Sequence, residues 1–234
     1  MATGTAKISY LDMASRSTER VRGRRSGAAR LENHEAVLKA AASLFYKKGY
    51  IETTMEDIAD RLRMSKPTLY TYAKSKSIIL QGIVKFWMCN LDELFRDMEA
   101  HPVIEERLGL LIHRWAALAV KHESYMHVFL AEEQHMPVSA TREYKIWSRA
   151  TLERLRNLIK DVQKRGKFTK IADPTIVAFG IIGFISLVPR WFNNRGRLSI
   201  AEVAKTYLST LRLGGEREGR AATPDGESKS ADAK

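Results

Sequence analysis

Between Val37 and Leu80 the chain sets three short helix signals so close together, each with its own punctuation, that only a compact three-helix unit fits the segment. Val37, Leu38, Ala41, Leu44 and Phe45 share one face of a helix at i, i+1, i+4, i+7, i+8 spacing. Gly49 ends that helix as a C-terminal glycine. A second helix opens at Thr53 and Thr54. Thr53 with Glu56 three residues on predicts a capping box, and Met55, Ile58, Ala59 and Leu62 form the buried face. After a turn at Arg63 and Met64, Ser65 is the N-cap of a third helix with Pro67 in its first turn, where a missing N–H costs nothing. That helix ends near Tyr72. Ser75 or Ser77 then caps a much longer apolar helix through Ile78, Ile79, Ile83, Phe86 and Trp87. A short helix after a tight turn, rich in small polar and cationic residues, has the chemistry to enter a major groove, so residues 33–80 read as a helix-turn-helix unit.

With 44% hydrophobic residues in 234, the chain can bury one sizeable core plus a small accessory domain. Its formal net charge of +12 suggests a polyanionic partner, although charge alone fits RNA or an anionic membrane surface equally. The arginines at 16, 20, 22, 24, 25 and 30, set among Ser, Gly and Ala, predict a mobile basic arm over residues 1–32, of a kind that can reach an adjacent minor groove. Residues 214–234 carry no apolar side chain larger than alanine and read as a disordered tail. The lone Cys89 excludes an intrachain disulfide and fits a reducing cytoplasm, and the polar, arginine-rich start is not a secretory signal. The most apolar window, Ile176 to Pro189, is shorter than the roughly 20 residues a membrane span needs and reads as a core helix.

Residues 81–213 form the second unit, all-helical and without alternating strand signals or an Asn-Gly hairpin. Helices are expected at about 76–100, 103–121, 124–135, 139–165 (stopping at Gly166), 173–193 and 199–213. Pro102, Pro137, the Asp173-Pro174 cap and a Ser199–Glu202 capping box supply the boundaries. The fold class is therefore all-α with about nine helices. The 173–193 helix is apolar nearly all round, so it needs more cover than one chain supplies. With Val203, Tyr207, Leu208 and Leu211 of the last helix it is expected to build a four-helix interface across a two-fold axis, making a homodimer.

The order Phe45, Gly49-Tyr50, Thr53-Thr54, Asp57-Ile58-Ala59, Ser65-Lys66-Pro67-Thr68-Leu69-Tyr70 and Ser75-Lys76 resembles the TetR family of one-component transcriptional regulators, in register over residues 30–84. Arg63 replaces the usual turn glycine, at a cost of about 1 kcal/mol if its φ is positive. Ala73 replaces a usual phenylalanine. The resemblance implies a double-stranded DNA operator as partner and a repressor's role. It places Thr54, Tyr70, Tyr72 and Lys76 at phosphate oxygens, and Ser65, Lys66, Pro67 and Thr68 on the recognition helix, where Lys66 is set to donate to guanine and Thr68 or Pro67 to touch a thymine methyl.

A pocket between helices of the body is the place for a small-molecule effector, and Trp115, Phe129, Trp147, Phe184 and Trp191 are its candidate walls. The runs from Phe129 to Pro137 and from Pro189 to Ser199 are similar to a TetR subgroup that responds to acyl-CoA thioesters in fatty-acid or steroid catabolism. Arg190 beside Trp191 then pairs a phosphate-binding cation with an apolar surface. Ser186-Leu187 departs from the Asn-Trp pair expected there. No cofactor, metal spacing, P-loop or dinucleotide fingerprint is present in the sequence, and Cys89 lacks the loop a nucleophile needs, so the chain does not read as an enzyme. The alternatives are a repressor with another lipophilic ligand, such as a multidrug or metabolite sensor, a non-regulatory CoA-thioester-binding protein, and a non-specific basic DNA-binding module.

Overall fold

The computed structural model describes residues 24–165 and 173–213, with side chains placed over 32–165 and 173–211. Among these residues the fold is all-α, as the periodicity predicts. Nine helices follow one another: α1 Arg24–Lys48, α2 Met55–Arg61, α3 Lys66–Tyr70, α4 Lys76–Ala100, α5 Ile104–Lys121, α6 Glu123–Ala131, α7 Val138–Lys164, α8 Pro174–Trp191 and α9 Ile200–Leu213. A 3-10 turn, Glu133–His135, joins α6 to α7. Helix α1 begins at Arg24, so residues 24–32 extend it and do not belong to an arm, which corrects the expected boundary. The rest of the arm, the stop at Gly166 and the tail from 214 lie outside the described residues.

The three-helix unit is set by its stops. Gly49 takes φ +88, a left-handed conformation, while its N–H bonds to Phe45 O at 3.0 Å and closes α1. The capping box lies one residue later than expected. Thr53 is fully buried and its hydroxyl donates to Gly49 O at 2.7 Å, so Thr54 is the N-cap of α2 and Asp57 its partner. Ser65 caps α3 through Thr68 N–H at 3.3 Å, and Ser75 caps α4 through Ile78 N–H at 3.3 Å. Arg63 in the turn has φ 54.

Helix α4 carries one buried core from the head into the body. Its first half buries Ile79, Leu80 and Ile83 with Val37, Leu38 and Phe45 of α1, Ile58 of α2 and Leu69 of α3. Its second half buries Leu91, Phe95 and Met98 with Leu108, Leu111 and Ile112 of α5 and with Leu155 and Ile159 of α7. Helix α6 lies along α1 as well as α4, so the head is held to the body along two seams.

Helix α8 is not an all-round core helix. Val177, Ala178, Ile181, Ile185 and Val188 are buried against α5 and α7. Ile176 is 70% exposed, and Phe179, Leu187 and Trp191 are each more than half exposed, at spacings that put them on one outward stripe with Gly180 and Gly183. By length and composition alone α8 also meets the requirement for a membrane-crossing helix. The apolar stripe of α9 is used at least partly inside the chain. It packs on α5, where a Cβ on Gly109 would meet Leu208 at 3.0 Å, and Tyr207 stacks on Phe184 at 3.8 Å.

Two left-handed positions give a stability prediction. Arg63→Gly is expected to raise, and Gly49→Ala to lower, the unfolding free energy by about 1 kcal/mol each, because only one of the two sites already has the residue that fits. Urea midpoints of the two variants check both signs.

Candidate functional site

Only Leu69 of the five residues of α3 is buried, and it anchors the helix to the head core. Lys66, Pro67, Thr68 and Tyr70 are exposed, as is the cap Ser65. The Ser65 and Thr68 hydroxyls bond each other at 2.7 Å, which orients the front of the helix. Lys66 Nζ lies 3.6 Å from Glu56 of α2, both side chains more than half exposed, a pair that another anion displaces at little cost. The Tyr72 hydroxyl oxygen accepts from Asn33 Nδ2 at 3.0 Å, so its own proton stays available to an acceptor. Arg61, Arg63 and Lys74 are exposed around the same surface and form no ion pair among the described residues. Arg61 and Lys74 were missed in the sequence because they occupy no motif position, and Arg63 was read only as a replacement of the turn glycine.

Two expected anchors are engaged internally. The Thr54 hydroxyl donates to Asp57 Oδ2 at 2.9 Å and accepts from Asp57 N–H at 3.1 Å, and the Thr54 N–H donates to the same carboxylate at 2.7 Å. Lys48 Nζ donates to Asp57 Oδ2 at 2.9 Å. These hydrogen bonds, that of Lys48 first, hold the Asp57 carboxyl down at about 2. Lys76 is engaged more fully. Its ammonium donates to Tyr50 O at 2.6 Å, Ile51 O at 3.0 Å and Thr53 O at 2.7 Å, which uses all three protons inside the protein.

The six candidate effector residues do not converge. Phe129 and Trp147 meet edge to face at 6.0 Å, and with Trp87 and Tyr144 they form an aromatic group between α4, α6 and α7. Burial first, then Glu133, pushes the Tyr144 phenol up to about 12. Trp115 is buried at another point of the core against Phe95 of α4. Phe184 serves the α8–α9 contact, while Arg190 and Trp191 are exposed at the end of α8. Two donors stand out among the described residues: the indole Nε1 atoms of Trp115 and Trp147 are buried and have no hydrogen-bond partner. A buried orphan N–H costs about 1–3 kcal/mol until an acceptor reaches it.

Three of the six histidines sit where the body meets the head. His127 packs edge-on to Tyr46 at 4.8 Å, His135 stacks on Tyr50 at 4.9 Å, and His122 meets Phe86 at 5.1 Å. Tyr46 also donates to Glu123 Oε1 at 2.8 Å. Burial, with help from Lys121 and Lys39, lowers His122 to about 4 and keeps it neutral at physiological pH. Burial raises the pKa of the Cys89 thiol, which disfavours its nucleophilic thiolate form.

Residues 37–83 match the family model for bacterial regulatory proteins, tetR family, and residues 102–214 match that for the tetracyclin repressor-like C-terminal domain. The chain is 24% identical over 187 residues to the HTH-type transcriptional repressor KstR2 of Mycolicibacterium smegmatis, covering 77% of this chain and 89% of that protein. It is 24% identical over 191 residues to the uncharacterized HTH-type transcriptional regulator YerO of Bacillus subtilis, covering 77% of this chain but only 63% of YerO's length. Among solved structures, KstR2 of Mycobacterium tuberculosis superposes with a TM-score of 0.71 at 21% identity, over 78% of this chain and 94% of that one. AibR in complex with isovaleryl coenzyme A and operator DNA gives a TM-score of 0.68 at 23% identity, over 76% and 97%. At these identities the structural likenesses show the fold.

The Asp57 cap predicts an acid-sensitive head. Because its folded pKa is depressed from 3.8 to about 2, its contribution is complete above about pH 4 and is lost as pH falls through about 2. Asp57→Asn is expected to flatten the part of the decline that falls between those two values, read from thermal midpoints across pH 2 to 5.

Proposed function

The chain belongs to the TetR family of bacterial transcriptional regulators, and from that membership we propose that it is a homodimeric, cytoplasmic repressor, released from its operator by a small apolar effector, an acyl-CoA thioester. The observation that carries the DNA half of this reading is α3, a helix with one buried residue whose whole front faces outward from a rigid three-helix head. Lys66 is set to donate to guanine, Pro67 and Thr68 to meet a thymine methyl, and Tyr70 and Tyr72 to bond phosphates. Arg61, Arg63 and Lys74 add cationic surface around them. Two heads carried by a dimer would address half-sites about 34–36 Å apart.

The α8 stripe supplies the dimer face. Ile176, Phe179 and Leu187 leave a row of large apolar groups in water beside the small surfaces of Gly180 and Gly183, and a second α8 related by a two-fold axis covers them. Phe179→Glu and Leu187→Glu are each expected to give a monomer in sedimentation velocity and to weaken operator binding. A dimer that survives both substitutions would refute this face.

For the effector, the aromatic group around Phe129 and Trp147 offers an apolar slot, and the partnerless indole N–H groups of Trp147 and Trp115 offer hydrogen bonds to an acceptor such as a carbonyl oxygen. Arg190, with Trp191, is the candidate contact for the CoA phosphates. The complex of the fold relative AibR with isovaleryl coenzyme A and operator DNA supports this ligand class. The test is fluorescence anisotropy on DNA upstream of the chain's own gene with random-sequence competitor, followed by an acyl-CoA panel. Competitor-resistant binding reversed by one thioester is expected. Lys66→Ala with Thr68→Ala should cost about 1–3 kcal/mol on operator and little on random DNA. Arg190→Ala should blunt release without altering operator affinity. Binding that competitor abolishes at once would reject the sequence-specific reading.

A further inference from the structure

Lys76 opens α4 beside the DNA-facing surface, where an ammonium group is an obvious phosphate anchor. Its surroundings give it different work. Three carbonyl oxygens, those of Tyr50, Ile51 and Thr53, receive its three protons at 2.6 to 3.0 Å. The same nitrogen lies 4.4 Å from the centroid of the Tyr50 ring. A phosphate would have to displace one of these bonds. The carbonyls belong to the loop between α1 and α2, which has no helix or sheet of its own to satisfy them.

Tyr50 is the centre of this arrangement. Its ring is buried, packs edge-on to Phe45 of α1 at 5.1 Å, and stacks on the His135 ring at 4.9 Å with 26° between planes. His135 belongs to the body, on the 3-10 turn between α6 and α7, and Glu132 fixes it through a 3.0 Å contact to Nδ1. One side chain of the α1–α2 loop thus touches both the start of α4 and the first turn of the body beyond α6.

We propose that Tyr50, gripped by Lys76 and His135, is a positioning residue for DNA binding: it fixes the loop that opens α2 to the body, and Lys76 acts through it and not through a phosphate. This rests on the regulator reading above for the DNA contact itself. The consequence is that α2, and α3 packed on it, take their orientation partly from the turn that follows α6, so a shift of that turn is felt at the recognition helix without a change in α4.

The salt dependence of binding separates the two roles of a cation. A residue that neutralises one phosphate contributes about 0.9 to the slope of log K against log salt, whereas a residue that only positions the head lowers affinity at every salt concentration equally. The experiment titrates a duplex from upstream of the chain's own gene, and a random duplex, across four salt concentrations. Wild type, Lys74→Ala, Lys76→Met, Lys76→Gln, His135→Leu, Tyr50→Phe and Tyr50→Leu are compared, with circular dichroism to confirm folding. Lys76→Met, His135→Leu and Tyr50→Leu are expected to weaken binding about ten-fold along lines parallel to wild type. Tyr50→Phe, which keeps the ring, is expected to bind as wild type. Lys74→Ala, at an exposed cation with no ion pair among the described residues, serves as the phosphate-type control, flattened by up to about 0.9. A Lys76 variant with a slope reduced by that amount overturns the proposal, and so does wild-type affinity in His135→Leu. If Lys76→Met does not fold, Lys76→Gln and His135→Leu decide alone. If wild type shows no preference for the upstream duplex, the repressor reading fails. The slopes on random DNA still settle which role Lys76 has.

Discussion

Everything in this molecule hangs on α4, whose buried residues join head and body in one continuous hydrophobic core. Burial of a leucine, isoleucine or phenylalanine side chain contributes about 1.5–3 kcal/mol, and α4 places such residues in the head at Ile79, Leu80 and Ile83 and in the body at Leu91, Phe95 and Met98. Bending it in the middle would open that core around the fully packed Trp87. The head therefore moves as a rigid body, about α4 and against the α1–α6 seam, or it does not move. That seam carries contacts of Tyr46 with His127 and Glu123, continued beyond the ends of both helices by the stack of Tyr50 on His135. Polar-edged stacks of this kind slide at lower cost than interlocked aliphatic packing.

The charge of the head follows the same division of labour. Cations that hold the fold are paired at short range, as Lys48 is with Asp57 and Lys76 with three carbonyls. Cations that face outward are weakly paired or free of ion pairs among the described residues, as Lys66, Arg61, Arg63 and Lys74 are. A surface of the second kind attracts a polyanion at a rate and strength that fall steeply with salt, and it carries no sequence information by itself. The information has to come from the few groups at the front of α3, whose orientation is fixed by the Ser65–Thr68 hydroxyl bond behind them.

Local punctuation was legible in the sequence because its chemistry is local. Gly49, Ser65, Pro67, Ser75 and Asp173 stop and start helices where their side chains dictate. The slip from Thr53 to Thr54 shows the limit. Both threonines have a carboxylate three residues on, and only burial of Thr53 over the Gly49 carbonyl decides between them. The role of Lys76 was illegible for the same reason, since its partners lie 23 to 26 residues earlier on a loop whose shape the sequence does not state. Aromatic residues on neighbouring helices look alike in sequence whether they meet, as Phe129 and Trp147 do, or stand apart, as Trp115 and Trp191 do. The α9 stripe was read as apolar, but its packing on α5 was not foreseen, because a stripe specifies that it will be covered and not by what.

An effector changes DNA affinity only through a difference in its affinity for two arrangements of the chain. The interior offers such a difference in the two indole N–H donors left without acceptors at Trp115 and Trp147. Each raises the free energy of the ligand-free arrangement, so an acceptor that reaches one of them stabilises whichever arrangement brings it within bonding distance. Trp147 touches Phe129 of α6, and α6 leads directly into the turn that carries His135. A ligand that repositions Trp147 therefore acts two contacts away from Tyr50 and the α1–α2 loop. Rigidity of α4 makes that short route the one of lower cost, because it displaces a stacked seam and leaves the core closed.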